Sequence, residues 1–199
     1  MKRAIFTAAV AAVIAAASAG YAITADEALA NFRSRMYGIG ALSGVISWSY
    51  DTEAQYTGAF KYMPGKIYVK FGNPSGKTIV CNGRRLWIYS SATNICGIQD
   101  VGGNSGGIAG LLAGYMGIVT AQGGGGYTLK LKKPGAAYEE VVLTLDQSFF
   151  LKRAMLKDAS GKTLRVSISN VDSGSVLPSH FEFNPPANTQ IVKNPLEIR

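Results

Sequence analysis

The run Ile79-Val80-Cys81-Asn82-Gly83-Arg84-Arg85-Leu86-Trp87-Ile88-Tyr89 constrains this chain more than any other stretch. Asn-Gly between two apolar runs is a strong hairpin signal, because a type I′ turn needs positive φ at both central residues. The strand after it places Leu86 and Ile88 on one face and Trp87 and Tyr89 on the other. An antiparallel strand that is apolar on both sides cannot have one face in water. Some other part of the chain must cover it.

The N-terminus reads as an export leader. Lys2 and Arg3 form a positive start, Ala4 to Ala17 an apolar core, and small residues offer cleavage after Ala19 or Ala22. That core falls short of the ~20 residues a membrane-spanning helix needs. No cysteine stands near either cleavage site, so no diacyl anchor is expected. Residues 23–199 then form a single domain, soluble in the periplasm and large enough for a real core. Loss of Lys2 and Arg3 lowers the formal charge from +8 to +6. A basic surface of this size favours anionic headgroups or acidic proteins, or simply solubility. The basic residues are scattered without interleaved aromatics, which argues against nucleic acid.

Thr24-Ala25-Asp26-Glu27 matches a capping box, with Leu29, Phe32, Met36 and Ile39 on one face of a helix ending near Tyr37. From residue 43 the period changes to two. Ile46, Trp48 and Tyr50 alternate, as do Ile67, Val69 and Phe71, then Tyr127, Leu129 and Leu131, then Val141, Leu143 and Leu145. A further hairpin turns at Asp158-Ala159-Ser160-Gly161 into Leu164, Val166 and Ile168. The fold class is therefore mainly β: a curved antiparallel sheet or incomplete barrel, with one N-terminal helix in its concavity. Such a sheet under loose helical cover makes a cleft for an apolar ligand.

Eleven of the 24 glycines fall within residues 101–126. Between Gly107 and Val119 they recur at three- and four-residue steps, which predicts a short helix with a glycine ridge. At ~1 kcal/mol per interior glycine it would be weakly held. Such a helix is either core, its glycines allowing close packing, or a mobile lid. The hinge-like run Gly123 to Gly126 favours the lid, whose apolar residues would be Ile108, Leu111, Leu112, Tyr115 and Met116.

Cys81 and Cys96 are the only cysteines, and an exported chain with an even count suggests a disulfide. Strand geometry argues against it. If residues 78–81, 84–90 and 95–100 form a meander, the two stand on non-adjacent strands ~10 Å apart, beyond the ~7 Å a disulfide spans. The pairing stays open on sequence.

Catalytic chemistry is thin. His180 is the one histidine and sits among apolar residues, so no zinc site can be assembled. No Gly-x-Ser-x-Gly elbow occurs, and Gly123-Gly124-Gly125-Gly126 lacks the Lys-Ser/Thr of a phosphate loop. Glu139-Glu140 would point to opposite faces of a strand. Neither an enzyme nor a cofactor is expected.

Three segments carry a resemblance. Gly83-Arg84-Arg85-Leu86-Trp87-Ile88-Tyr89 resembles the D-G-x-x-L-W-x-Y hairpin of the periplasmic outer-membrane lipoprotein carriers, the LolA-type family. Phe60-Lys61-Tyr62-Met63-Pro64-Gly65-Lys66-Ile67-Tyr68-Val69 resembles their aromatic strand, proline turn and next strand. Leu177-Pro178-Ser179-His180-Phe181-Glu182-Phe183-Asn184-Pro185-Pro186 resembles their closing L-P-x-x-x-F-x-F-x-P-P. The resemblance implies an apolar cavity for acyl chains, a lid helix over it, an ATP-driven transporter in the inner membrane as donor and an outer-membrane acceptor. Cavity residues are then expected at Ile46, Trp48, Met63, Ile67, Val69, Phe71, Leu143 and Leu145, in a monomer. Glycolipid or phospholipid is the alternative cargo, and a lipid-sensing regulatory module the alternative role. The family commonly carries an arginine before the turn proline, where it latches the lid; Met63 stands there instead.

Overall fold

The computed structural model describes residues 22–101, 112–174 and 176–193. The expected leader up to residue 21, and Ile108 and Leu111 of the expected lid, lie outside the described residues. Helix α1 (Ala25–Gly38) leads into β1 (Leu42–Tyr50), β2 (Tyr56–Met63), β3 (Lys66–Asn73), β4 (Ser75–Cys81), β5 (Arg85–Ser90) and β6 (Ile95–Asp100). Then come β7 (Met116–Gly123), β8 (Gly126–Lys132), β9 (Glu140–Leu145), β10 (Leu151–Lys157) and β11 (Thr163–Asp172). A 3-10 turn at Pro178–Phe181 and β12 (Gln190–Lys193) follow.

All twelve strands join one sheet in the order β12-β6-β5-β4-β3-β2-β1-β11-β10-β9-β8-β7, so β12 and β7 are its two ends and the sheet is open. Among the described residues only β12 pairs in parallel, along β6. Residues of β2, β3, β8, β9 and β10 share one apolar cluster with α1. A sheet whose distant strands reach the same helix must curl around it. Register shifts in five strand pairs, at Ser43/Val45, Thr57/Gly58, Lys70/Gly72, Val119/Ala121 and Leu151/Arg153, supply the bends.

The capping box of α1 forms as the sequence predicts. Thr24 Oγ1 accepts the Glu27 N–H at 3.2 Å, and Glu27 Oε2 accepts the Thr24 N–H at 2.9 Å. Ala28, Leu29, Phe32 and Met36 are buried along one stripe, with Ile39 just beyond the end. That stripe fills the concavity.

The second face of the Trp87 hairpin is covered by the C-terminal segment. Val80, Trp87 and Cys96 form a separate outer cluster on which Phe183 packs, its ring centroid 5.8 Å from Tyr89 and 6.4 Å from Trp87. The turn itself is displaced by one residue from the expected position. Asn82 donates its N–H to the Arg85 carbonyl, leaving Gly83 and Arg84 central, and Gly83 alone carries positive φ, at 92°. Glycine in the first central position is the type II′ requirement. Asn82 does its work through its side chain, whose Oδ1 accepts the Arg84 and Arg85 N–H groups at 3.0 and 2.9 Å.

Both cysteines are free. Cys96 lies with Val80 on the outer face, so Cys81, next to Val80 on β4, points to the inner one. With β5 between their strands, no bridge can form. Burial pushes the Cys96 thiol pKa up, consistent with an unreactive packing role.

Candidate functional site: the covered concave face

Seven of the eight expected wall residues lie together. Val69, Phe71, Leu143 and Leu145 are buried in the inner cluster, and Ile46, Trp48 and Ile67 pack against it. Trp48, Tyr56 and Phe71 form an aromatic corner, with Trp48 to Phe71 at 5.5 Å and Tyr56 to Phe71 at 5.7 Å. Lys77 closes it, its Nζ 3.1 Å from the Tyr56 hydroxyl and 4.3 Å from the ring centre. Phe60, Leu129, Leu131 and Leu151 complete the wall and were not singled out by sequence, although Leu129 and Leu131 lie on an alternating strand.

Met63 does not belong to the wall. Phe60 and Tyr62 face inward, so alternation along β2 turns Met63 outward with Lys61. The aromatic pair decides the register because burying Lys61 instead would desolvate an unpaired ammonium. Tyr62 also ties β2 to the helix, donating its hydroxyl to the Met36 carbonyl at 3.2 Å.

The expected lid helix is corrected for the residues described. Met116 to Val119 belong to β7, paired with β8. Gly117 serves this pairing, since a Cβ there would stand 2.2 Å from the Lys130 carbonyl oxygen. Its spacing from Gly114, suggestive of a helix ridge, instead marks a turn glycine with φ of 76° followed by a close strand contact. Met116 is 74% exposed and covers nothing. Gly123 to Gly126 is the β7–β8 hairpin turn and not a hinge.

The turn before β7 does cover the concave face. Leu112 is buried in the inner cluster, and Tyr115 packs against it. Three side chains pin this turn. Arg33 of α1 donates to the Leu112 carbonyl at 3.2 Å, Lys133 Nζ donates to the Ala113 carbonyl at 2.9 Å, and the Tyr115 hydroxyl donates to the Tyr138 carbonyl. Burial raises the Tyr115 pKa, so the phenol stays a donor. Neither Arg33 nor Lys133 was singled out from sequence. Arg33 adjoins Phe32 on the helix, which was the one available signal; Lys133, beside Pro134-Gly135, gave none.

At the other end of β9, Phe149 stacks on Tyr127 with ring centroids 4.6 Å apart, although its φ of 61° is costly for a bulky residue. Asp146 holds this loop. Its Oδ1 accepts from the Ser148 N–H, the Ser148 hydroxyl and the Phe150 N–H at 2.9, 2.7 and 3.0 Å. Desolvation pushes the Asp146 pKa up, but these bonds and Lys152 together leave it below the ordinary 3.8. A lowered carboxyl stabilises the fold above its unfolded pKa, and that contribution is lost as pH falls through the folded value. The urea midpoint of the parent should therefore exceed that of Asp146→Asn at neutral pH, with the gap closing below about pH 4.

His180 accepts the Leu177 N–H on Nδ1 at 2.8 Å, closing the 3-10 turn. Glu140 pairs with Lys130 at 3.2 Å and Lys132 at 3.8 Å, while Glu139 accepts the Gly135 N–H. Among the described residues no group of three or more His, Cys, Asp or Glu side chains could hold a metal, and no helix is long and apolar enough to cross a membrane.

No family model matches the chain. An outer-membrane lipoprotein carrier protein of Bordetella bronchiseptica is 28% identical over 191 residues, covering 89% of this chain and 90% of that protein. A solved, uncharacterised protein of Thermus thermophilus shares the fold at a TM-score of 0.58 and 15% identity, over 85% of this chain and 98% of that one. A chain of the Pseudomonas aeruginosa MucA/MucB complex does so at 0.52 and 10% identity, over 79% of this chain and 60% of that one. Along nine-tenths of its length, then, the chain is similar to a lipoprotein carrier protein, and its open curved sheet wrapped on one N-terminal helix is a fold it shares with these solved structures.

Proposed function

We propose that this protein is a periplasmic chaperone that shelters the acyl chains of lipoproteins on its concave face. It would take them from an ATP-driven transporter in the inner membrane and deliver them to an acceptor at the outer membrane, without catalysis. The observation that carries this reading is the nature of the cover. A largely apolar wall is closed by one helix and one turn, and three side-chain hydrogen bonds to backbone carbonyls hold that turn.

Magnitudes favour a displaceable cover. Each buried methylene is worth about 0.8 kcal/mol, so a sixteen-carbon chain held on the wall gains on the order of 10 kcal/mol. Three hydrogen bonds contribute roughly 0.5–1.5 kcal/mol each, or about twice that where the donor is charged. The ligand can therefore open the site, and the cover can close again on release. The Arg33 and Lys133 contacts would do the latching that an arginine before Pro64 does in related carriers. Release depends on their being weak.

Removing both cations tests the latch. In Arg33→Leu/Lys133→Met, amide exchange at residues 112–115 should quicken about tenfold, while the exchange of β8 and β9 stays unchanged. An unchanged rate at the turn would show that these cations hold nothing.

Native mass spectrometry of the protein purified without detergent tests the cargo. Diacylglyceryl-modified peptide on the protein supports lipoprotein carriage. Phospholipid or glycolipid alone would assign the face to free lipid, and an empty protein that takes up no acyl probe would end the reading.

A further inference from the structure

The outer face of the sheet holds a second feature that acyl-chain carriage does not use. Across β9, β10, β11 and β1 runs a groove of about 290 Å³. Inward positions on these strands are Leu143, Ala154, Val166 and Trp48, so Thr144, Arg153, Arg165, Ser167, Ser47 and Ser49 point outward. Arg153 stands opposite Ser167, and Arg165 is two residues along β11 from that partner. The two arginines are thus diagonal neighbours on one face, within about 8 Å. Both are exposed, and among the described residues neither guanidinium has a hydrogen bond or ion pair.

Two like charges this close, with no counter-charge between them, repel each other. Nearby carboxylates do not relieve them: Glu140 is held by Lys130 and Lys132, and Asp146 by its own loop and Lys152. Among the described residues no carboxylate lines the groove. The lining offers guanidinium and hydroxyl donors, the Gln55 amide, and the apolar Val142 and Met155. Forked donors of this kind match phosphate oxygens, and small apolar residues beside them suit the boundary between headgroup and acyl region.

We infer that this groove docks the protein on a membrane surface by binding the phosphate of anionic phospholipid headgroups. The site faces away from the concave wall. A carrier bound through it keeps its cover free to open while at the membrane. The inference does not depend on what the concave face carries.

Sedimentation of the purified protein with phosphatidylcholine vesicles, and with the same vesicles containing phosphatidylglycerol, tests this. The protein should bind only the anionic vesicles, and less as salt rises. Arg153→Gln/Arg165→Gln should weaken binding about twenty-five-fold, at about fivefold per arginine near an anionic surface. A control removing two lysines from the outer face of β2 and β3, Lys61→Gln/Lys70→Gln, should weaken it less than about twofold. Near-ultraviolet circular dichroism and uptake of a fluorescent fatty acid should match the parent in both, which separates this result from failure of the carrier reading. Equal losses in the two variants would mean a merely basic surface and overturn the site. So would absence of binding to anionic vesicles, inhibition by inorganic phosphate as strong as by vesicles, or tighter capture of an acidic peptide than of the membrane.

Discussion

Phe32→Ala is expected to weaken the lipid-free protein and at the same time strengthen its hold on a fatty acid. Phe32 is fully buried at the centre of the α1 stripe, inside the same cluster as Val69, Phe71, Leu143 and Leu145. Truncating a buried phenylalanine costs about 3–5 kcal/mol, through lost transfer energy and the cavity left behind. That is a large share of the roughly 5–15 kcal/mol that holds a domain of this kind together. In an ordinary core the loss would be all that is seen. If the helix competes with acyl chains for the wall, the vacated space is room for ligand. A fluorescent fatty acid should then bind at least tenfold tighter than to the parent and recover part of the lost melting temperature. A folded variant with no gain in probe affinity would refute acyl binding on this face.

The second large effect concerns a glycine. Gly126 opens β8 with φ of 113°, and a Cβ there would stand 2.0 Å from the Leu145 carbonyl oxygen and 2.8 Å from the Asp146 Cα. Both contacts are with backbone, so no side-chain rotation relieves them. Strained φ alone costs about 1–3 kcal/mol, and parting β8 from β9 adds the loss of sheet hydrogen bonds. Gly126→Ala should therefore lower stability by about 3 kcal/mol or more and lower the urea midpoint accordingly. Gly124 and Gly125, at the tip of the same turn, have nothing within 4 Å of an added Cβ. Their alanine variants should remain within about 0.5 kcal/mol of the parent. Equal tolerance at all three positions would mean that the run is a flexible hinge after all.

The glycines show where sequence reading stops. A three- and four-residue recurrence resembles a helix ridge, yet Gly117 and Gly126 are fixed by carbonyl oxygens on neighbouring strands, distant in sequence. Period is a local property, and close approach is not. β12 was missed for a related reason. Its exposed Ile191 and Val192 belong to a four-residue strand that exists only because β6 offers a free edge.

Met63 failed differently. Residues 60–63 are compatible with either register, and only the pairing of Phe60 with Val69 and Tyr62 with Ile67 selects the aromatics for the inside. The cysteines followed the strand argument, and their opposite faces closed the question that spacing left open.

The sequence by itself determined the elements with strong local signals. The capping box set the start of α1, and the apolar stripe set its buried face. The two-residue alternations of β1, β3, β8, β9 and β11 set which residues face the interior, because a side-chain period is fixed by the backbone of each element alone. The doubly apolar Trp87 strand even announced that something must cover it. What covers it, and what covers the concave wall, only the tertiary structure decided. Phe183 reaches Trp87 and Tyr89 from the end of the chain, while Arg33 and Lys133 converge on the turn at Leu112 and Ala113 from opposite sides in sequence. These contacts join residues 20 to 96 positions apart, and what brings them together is the curl of the sheet, set by its bulges and by the helix it encloses.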